Sequence, residues 1–186
     1  QPDCDQAKKT MTSAAAIVMA GGRSKRMGID KSLLPLNGRL IIEIVCEQLH
    51  GHFDKTLISA NERQKLAFLG LHVVPDRIPG KGPLMGIASA LEKSCSELNF
   101  VVACDIPHIN IDLAKKMLAE AESTGADIVI PKTGEDYFEP LFAVYRRTVI
   151  EPANKVLAAG GRKIADIFAL CKVKYIKVHD CDWLVN

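Results

Sequence analysis

Aromatic residues are scarce in this chain, and neither sign of charge is in large excess. Only 5% of its 186 residues are Phe, Tyr or Trp, and Trp183 is the single tryptophan. That is too few for the stacking platform on which single-stranded nucleic acids bind. The formal net charge is +2, so no overall field attracts a large polyanion. The composition therefore predicts a protein that does not bind nucleic acid.

Long apolar runs and patterned cysteines are missing as well. No run approaches the ~20 apolar residues that a membrane-spanning helix needs, so no contact with a membrane is expected. The six cysteines form no CxxC pair and no Cys/His set at zinc-finger spacing. With no signal peptide visible, this predicts a cytoplasmic protein. Residues 1–13 are polar and aperiodic and are predicted to be a disordered tail, followed by one domain over 14–186.

The chain does contain a regular alternation of short β-branched segments with amphipathic ones. Strands are predicted at about 15–20, 55–60, 71–75, 99–104, 126–131, 139–145 and 173–178. Helices are predicted at about 39–50, 62–69, 83–94, 110–123, 147–159 and 162–170. Such alternation is typical of βαβ units. The predicted fold is α/β, a single-domain, Rossmann-like, doubly wound and mostly parallel sheet, whose ligands bind beyond the carboxyl ends of the strands.

The first of three motifs follows the first predicted strand. Residues 15–36, AAIVMAGGRSKRMGIDKSLLPL, lead from an apolar run into two glycines and four cations. Glycines let backbone N–H groups approach an oxygen closely, and the cations neutralise phosphate charge. The spacing fits neither a P-loop nor a dinucleotide fingerprint. We interpret the segment as a nucleotide-binding loop; the alternative is an ordinary strand-to-helix turn with a solvated basic face.

The second motif is VVACDIPHI, residues 101–109, in which an apolar run delivers Asp105 to a strand end. Mg²⁺ prefers one or two carboxylates and takes its other ligands from phosphate oxygens and water. Asp105 is therefore predicted to bind Mg²⁺ across from the basic loop. The alternative is that Asp105 caps the next helix or starts the turn, although Asn110 and Asp112 are better placed to cap it.

The third motif is PDRIPGKGPLMGI, residues 75–87, with three glycines and three prolines. It predicts a loop that approaches its ligand closely and enters a helix near Pro83. Asp76 follows the predicted strand over 71–75, where its carboxylate could accept hydrogen bonds from a nucleotide base or from a ribose hydroxyl. A carboxylate matched to a buried pair of donors discriminates well between bases. The alternative is that Asp76 is a turn residue after a strand.

Together these motifs resemble those of the nucleotidyltransferases that activate sugars and cofactors, with LAGGxxxRMGxxK at the first loop. Within that superfamily the chain is most similar to the molybdenum cofactor guanylyltransferases, which carry GPLxG at the third motif. Related cytidylyltransferases tend to have LAAG at the first loop and lack GPLxG, whereas this chain has Ala20-Gly21-Gly22 and Gly82–Gly86. The resemblance implies the sheet of the nucleotide-diphospho-sugar transferases. It also implies that the phosphate of molybdenum-molybdopterin attacks the α-phosphorus of GTP and releases pyrophosphate.

The resemblance assigns roles to residues of this chain. Lys31 and Arg26 would contact the triphosphate, and Asp105 would hold Mg²⁺. The residues that would bind the nucleotide are Ala20, Gly21, Gly22, Lys31, Asp76, Gly82 and Asp105. Among them, Asp76 would accept hydrogen bonds from N1–H and the 2-amino group of guanine, or from a ribose hydroxyl. Two weaker matches are EPLFAVYR at 139–146, beside the acceptor site, and GGRK at 160–163, which meets the acceptor or is a solvated helix start. The implied partners are GTP and the molybdopterin cofactor, with transient contact to cofactor-delivering proteins or molybdoenzymes.

One departure from the family pattern leaves alternatives open. Family members continue through an asparagine-rich segment whose second asparagine can complete the metal site, whereas this sequence stops at Val185-Asn186. That leaves the second metal ligand unassigned. The alternatives are transfer to another acceptor or from another base, such as cytidylyl or sugar-phosphate transfer, and a module that binds GTP or the cofactor without catalysis.

Overall fold

An eight-stranded sheet is the centre of the computed structural model, which describes residues 13–21, 33–134 and 137–179. In chain order the strands are β1 (Ala14–Met19), β2 (Pro35–Leu36), β3 (Arg39–Leu40), β4 (Lys55–Ser59), β5 (His72–Val74), β6 (Leu98–Ala103), β7 (Ile128–Thr133), β8 (Tyr137–Phe138), β9 (Phe142–Arg146) and β10 (Val173–Lys177). The α-helices are α1 (Ile41–Leu49), α2 (Pro83–Ser94), α3 (Ile111–Thr124) and α4 (Ile150–Ala158). Shorter 3₁₀ helices lie at Arg63–Leu69, Arg147–Val149 and Ile164–Leu170.

The strand order of the main sheet is β10-β7-β9-β6-β1-β4-β5, with β8 paired to β7. The pairs β6–β1, β1–β4, β4–β5 and β7–β10 are parallel. β9 runs antiparallel to both of its neighbours, β6 and β7. β2 and β3 form a separate small hairpin. The predicted fold class, a mostly parallel α/β sheet, is confirmed.

Helices cover both faces of the sheet, and the buried strands show why. Every residue of β1 is buried, as is typical of a parallel strand with a helical layer on each side. Alternate residues divide between two cores: Val18 packs in the cluster that contains α1 and α3, and Ile17 in the cluster that contains α2 and α4. The molecule therefore has three layers, with the central strands of the sheet packed between helices on both faces.

Helix α2 matches its predicted bounds, but the predicted start of the first helix at residue 39 is wrong. Asn37 and Gly38 have φ angles of 51° and 81°, the left-handed pair that closes a tight hairpin. Arg39 and Leu40 therefore pair with Leu36 and Pro35 as a strand, and the helix begins only at Ile41.

Three other predicted helices and one strand differ from the observed elements. The helix predicted over 147–159 is a 3₁₀ helix at Arg147–Val149 followed by α4 at Ile150–Ala158. The segments predicted as helices at 62–69 and 162–170 contain 3₁₀ helices at Arg63–Leu69 and Ile164–Leu170. The strand predicted over 139–145 begins only at Phe142. Glu139 closes a turn before it, because its side chain accepts the N–H of Leu141 and its carbonyl accepts the N–H of Phe142.

The predicted tail lies almost entirely outside the described residues, which begin at residue 13 and end at residue 179. The division into a tail and one domain over 14–186 therefore stays a prediction. Within the described ranges no helix combines the length and the apolar character needed to cross a membrane.

Candidate functional site

Five chain segments meet at one edge of the sheet. Strands β6, β1, β4 and β5 all end there because they are parallel, and β9 starts there because it is antiparallel. Four hydrogen bonds extend the pairing past the strand ends: Ala103 N–H to Leu141 O (2.8 Å), Cys104 N–H to Met19 O (3.1 Å), Ala20 N–H to Ser59 O (2.9 Å) and Ala60 N–H to Val74 O (3.0 Å). Backbone hydrogen bonds thus connect the residues that follow β6, β1, β4 and β5 and precede β9 into one continuous edge, which we call the rim. Ligands of this class of sheet bind at such an edge.

Asp105 lies in the middle of this rim, directly after β6. It is exposed, so a metal ion and a substrate could both reach its carboxylate. The chain beyond it is fixed by Gln48 of α1, whose amide donates to Pro107 O (2.7 Å) and accepts the N–H of Ile109 (3.0 Å). Asn110 caps α3 by accepting the N–H of Leu113 (3.0 Å). The cap of that helix is therefore Asn110, and the alternative in which Asp105 serves as its cap is wrong.

Asp76 lies at the far end of the rim, after β5, and is hydrogen-bonded to Asn61, which was not among the predicted site residues. Asn61 follows β4, and its side-chain oxygen accepts the backbone N–H of Asp76 (2.8 Å). The Asn61 Nδ2 group donates to Asp76 Oδ2 (2.9 Å). Asp76 is half-buried, whereas Asn61 is exposed. Asn61 could have been predicted from the sequence, because it follows a strand as Asp76 and Asp105 do.

Helix α2 packs closely against this end of the rim at Gly86. A Cβ atom at Gly86 would lie 2.9 Å from Met19 Cε, 2.9 Å from Ser59 Oγ and 3.3 Å from Asp76 Oδ1. Real Cβ atoms essentially never approach within 3.0 Å, so only glycine fits without a shift. The second glycine of the GPLMG motif therefore lets α2 and the Asp76 carboxylate lie against each other.

Gly82 is needed for a different reason. Its φ is 83°, a left-handed conformation that glycine adopts without strain. A Cβ there would also lie 2.9 Å from the carbonyl oxygen of Arg162, which accepts the N–H of Leu84 (3.4 Å). The GGRK turn thus lies beside the start of α2, and the exposed side chains of Arg162 and Lys163 stand next to the loop that leads from Asp76 into α2.

Glu139 forms the other end of the rim, one strand beyond Asp105. It opens the EPLFAVYR segment predicted to lie beside the acceptor site, although no role was predicted for its own side chain. Its Oε1 accepts the N–H of Leu141 (3.1 Å), and the hydroxyl of Tyr137 donates to Oε2 (3.5 Å). Burial raises the pKa of the Glu139 carboxyl, and the negative charge of Asp105 raises it further. The two carboxylates are therefore near enough to repel each other.

The donors for a metal ion on this rim are few. Within the described ranges, no group of three or more His, Cys, Asp and Glu side chains forms a cage. One or two carboxylates supplemented by phosphate oxygens and water suit Mg²⁺, so Asp105 fits a metal held jointly with a substrate. Ala20 and Gly21 lie on the rim beside it, whereas the predicted contacts Gly22, Arg26 and Lys31 lie outside the described residues.

Residues 16–173 match the family model described as the MobA-like NTP transferase domain. The chain belongs to this family. It is 39% identical over 166 residues to a probable molybdenum cofactor guanylyltransferase of Pelotomaculum thermopropionicum, covering 89% of this chain and 80% of that protein. It is 35% identical over 150 residues to a molybdenum cofactor guanylyltransferase of Syntrophotalea carbinolica, covering 81% of this chain and 71% of that protein. The predicted family is thereby confirmed, and with it the class of enzyme, a nucleotidyltransferase.

A solved structure of the family supports the same conclusion. The crystal structure of molybdopterin-guanine dinucleotide biosynthesis protein A from Archaeoglobus fulgidus aligns with a TM-score of 0.76 at 28% identity, covering 88% of this chain and 83% of that one. The matched family region, 16–173, spans every strand end on the rim. The rim is therefore part of the domain that the family shares.

Proposed function

We propose that this chain is a Mg²⁺-dependent guanylyltransferase that transfers GMP from GTP to the phosphate of molybdenum-molybdopterin. The observation that carries the proposal is the order of groups along the rim: Asp76, then the glycine loop after β1, then Asp105, then Glu139. Three strand spacings separate the ends of β5 and β6, roughly 14 Å in all. That distance suits a nucleoside triphosphate with its base near Asp76 and its phosphates near Asp105.

The base assignment is based on the orientation of the Asp76 carboxylate. Its Oδ2 is held by Asn61, and its Oδ1 faces the Gly86 side of α2. Guanine offers two adjacent donors, N1–H and the 2-amino group, that a carboxylate can accept, and cytosine has no such pair. A mismatched base leaves a polar group without a partner, which is strongly disfavoured. A ribose hydroxyl is the other donor that this carboxylate could accept.

Phosphate chemistry is assigned to the middle of the rim. Asp105 would hold Mg²⁺, which when bound neutralises charge on the triphosphate oxygens. The acceptor is a phosphate monoester that is largely dianionic near neutral pH, so its oxygen can attack the α-phosphorus without a general base while pyrophosphate leaves. Catalysis then requires mainly alignment and charge neutralisation. Arg26 and Lys31 are proposed to contact the triphosphate because their loop resembles the family motif.

The acceptor is proposed to bind on the β9 side of Asp105, since the nucleotide occupies the β1–β5 side. On that side of Asp105, the half-buried carboxyl group of Glu139 lies on the rim and would be close to the acceptor. Transient contact with proteins that deliver or receive the cofactor, and a cytoplasmic location, stay predictions.

Pyrophosphate release tests the proposal directly. The purified chain is incubated with GTP, Mg²⁺ and molybdopterin, and pyrophosphate is measured with a coupled enzymatic assay. Asp105→Asn should lower turnover by about a hundredfold or more, the cost of one preorganised electrostatic group. Asp112→Asn is the matched control, because Asp112 is an exposed carboxylate in the first turn of α3.

Three outcomes would contradict the proposal in different ways. Turnover of CTP in preference to GTP would assign a cytidylyltransferase. Tight binding of GTP without pyrophosphate release would favour the non-catalytic binding module. Equal turnover by the Asp105→Asn and Asp112→Asn variants would remove Asp105 from the site.

A further inference from the structure

We propose that Asn61 is a positioning residue that fixes the Asp76 carboxylate toward the nucleotide, and that the pair determines how strongly the site prefers guanine. The inference deepens the proposed function and rests on it. Asn61 itself is not assigned a contact with the substrate; it acts through Asp76.

A closed pair of hydrogen bonds carries the argument. One amide group of Asn61 accepts from the backbone of Asp76 (2.8 Å) and donates to its carboxylate (2.9 Å). The backbone N–H can only donate, so it fixes which end of the amide is oxygen and leaves Nδ2 for the carboxylate. Both the main chain and the side chain of Asp76 are therefore held by a single neighbour, fifteen residues earlier in the chain.

The Asn61 hydrogen bond leaves the second carboxylate oxygen of Asp76 directed toward α2. With Oδ2 on Asn61, the Oδ1 atom of Asp76 faces Gly86, within 3.3 Å of where a Cβ would stand. The terminal torsion of an aspartate is broad when nothing restrains it. Holding it before the ligand arrives lowers the ordering cost of binding.

The neighbouring cation is engaged by other elements. The Arg77 guanidinium pairs with Glu92 of α2 (2.9 Å) and donates to Asn154 of α4 (2.5 Å). Its backbone N–H donates to Ser89 Oγ (3.1 Å). Arg77 thus anchors the main chain just after Asp76 to the helical layer, while Asn61 anchors Asp76 to the strand layer. The two anchors are separable by mutation.

Asn61 is exposed and does not belong to either buried cluster. Its replacement leaves no cavity in the core, and because the two hydrogen bonds lie at the surface, Asn61→Ala should lower the thermal midpoint by only about 2–4 °C. This makes it a suitable probe, because a loss of binding would not be a loss of folding.

The test measures dissociation constants for GTP and ITP by calorimetry in the presence of Mg²⁺. ITP lacks the 2-amino group, so the ratio of the two constants reports base recognition. Asn61→Ala should weaken GTP binding roughly fivefold to tenfold, the size of one hydrogen bond, and should weaken ITP binding less. Asn61→Asp should be worse than Asn61→Ala: it keeps an acceptor for the Asp76 N–H but sets a second carboxylate against the first.

A double-variant cycle separates positioning from independent effects. In the Asp76→Ala background, Asn61→Ala should change GTP affinity less than about twofold, because the side chain that it orients is gone. Asn154→Ala is the matched control: it removes an asparagine that contacts the adjacent Arg77 and should leave the GTP/ITP ratio as in the wild type.

Several results would overturn the inference. An unchanged GTP/ITP ratio in Asn61→Ala would do so, as would effects of Asn61→Ala and Asp76→Ala on GTP affinity that simply multiply. A wild-type chain that does not bind GTP would overturn the proposed function first, and the inference with it. GTP binding that is selective in the wild type and unaffected by Asn61→Ala would overturn the inference alone.

Discussion

Replacing Gly86 by alanine tests whether the approach of α2 to the rim is as tight as the structure has it. The added methyl would lie 2.9 Å from Met19 Cε and Ser59 Oγ and 3.3 Å from Asp76 Oδ1. Met19 can yield, because the contact is the far end of a flexible side chain. Ser59 is only 2% exposed, so it has little room to move, and the Asp76 carboxylate has to give by a few tenths of an ångström.

Two opposing terms set the size of the effect on stability. Overpacking a close-packed site costs about 1–3 kcal/mol. Alanine in place of glycine inside a helix gains about 1 kcal/mol. Gly86→Ala should therefore lower the free energy of unfolding by about 0–2 kcal/mol. It should also weaken GTP binding roughly tenfold, since the Asp76 carboxylate is displaced from a hydrogen bond to the base.

Urea unfolding and calorimetry with GTP measure the two effects separately. The double variant Met19→Leu/Gly86→Ala should recover part of the stability, because leucine lacks the Cε atom, yet leave GTP binding weak. A Gly86→Ala chain that is about 1 kcal/mol more stable than the wild type, with unchanged affinity for GTP, would refute the close approach.

Two further predictions concern thiols and a carboxyl group. Burial raises the pKa of Cys46 and of Cys171 to about 11, so at pH 8 iodoacetamide should label each about a hundredfold more slowly than an unperturbed thiol. Peptide mass spectrometry should find exposed Cys95 labelled before Cys46 and Cys171; equal rates for the three would contradict the burial. For Glu139, whose raised pKa comes mainly from burial, the native state binds the proton more tightly than the unfolded state. Its contribution to stability therefore falls as the pH rises above the ordinary value of 4.5. Glu139→Gln, which keeps an acceptor for the Leu141 N–H, should raise the thermal midpoint at pH 7.5 in EDTA and lose that advantage at pH 4. A lower midpoint at pH 7.5 would contradict the assignment.

The sequence predicts those parts of the molecule that local pattern controls. The buried apolar runs of β1 and β6 and the span of α2 follow from periodicity and from Pro83 at a helix start. Because parallel strands end at a common edge, Asp76 and Asp105 could be assigned to that edge before the structure was known. The family followed from the spacing of glycines and cations in the first loop.

Contacts between segments that are distant in the chain could not be predicted from one sequence. The Asn61–Asp76 pair spans fifteen residues and joins two strand ends, and nothing in either local pattern requires it. Glu139 lies on the same edge as Asp105 only because β9 runs antiparallel between β6 and β7, and periodicity does not encode that topology. Apolar residues three apart, such as Ile164 and Ile167, share a face in both kinds of helix. Their spacing therefore does not distinguish the tighter turn and i→i+3 hydrogen bonds of a 3₁₀ helix from an α-helix.

Selectivity among nucleotides is the central claim, and calorimetry tests it most directly. GTP, CTP, UTP and ATP are compared at one Mg²⁺ concentration, with EDTA and the Asp76→Ala variant as controls. The proposed site predicts that GTP binds most tightly, that chelation of Mg²⁺ weakens it, and that Asp76→Ala abolishes most of the preference for guanine. A preference for CTP, or no binding of any of the four nucleotides, would contradict the claim.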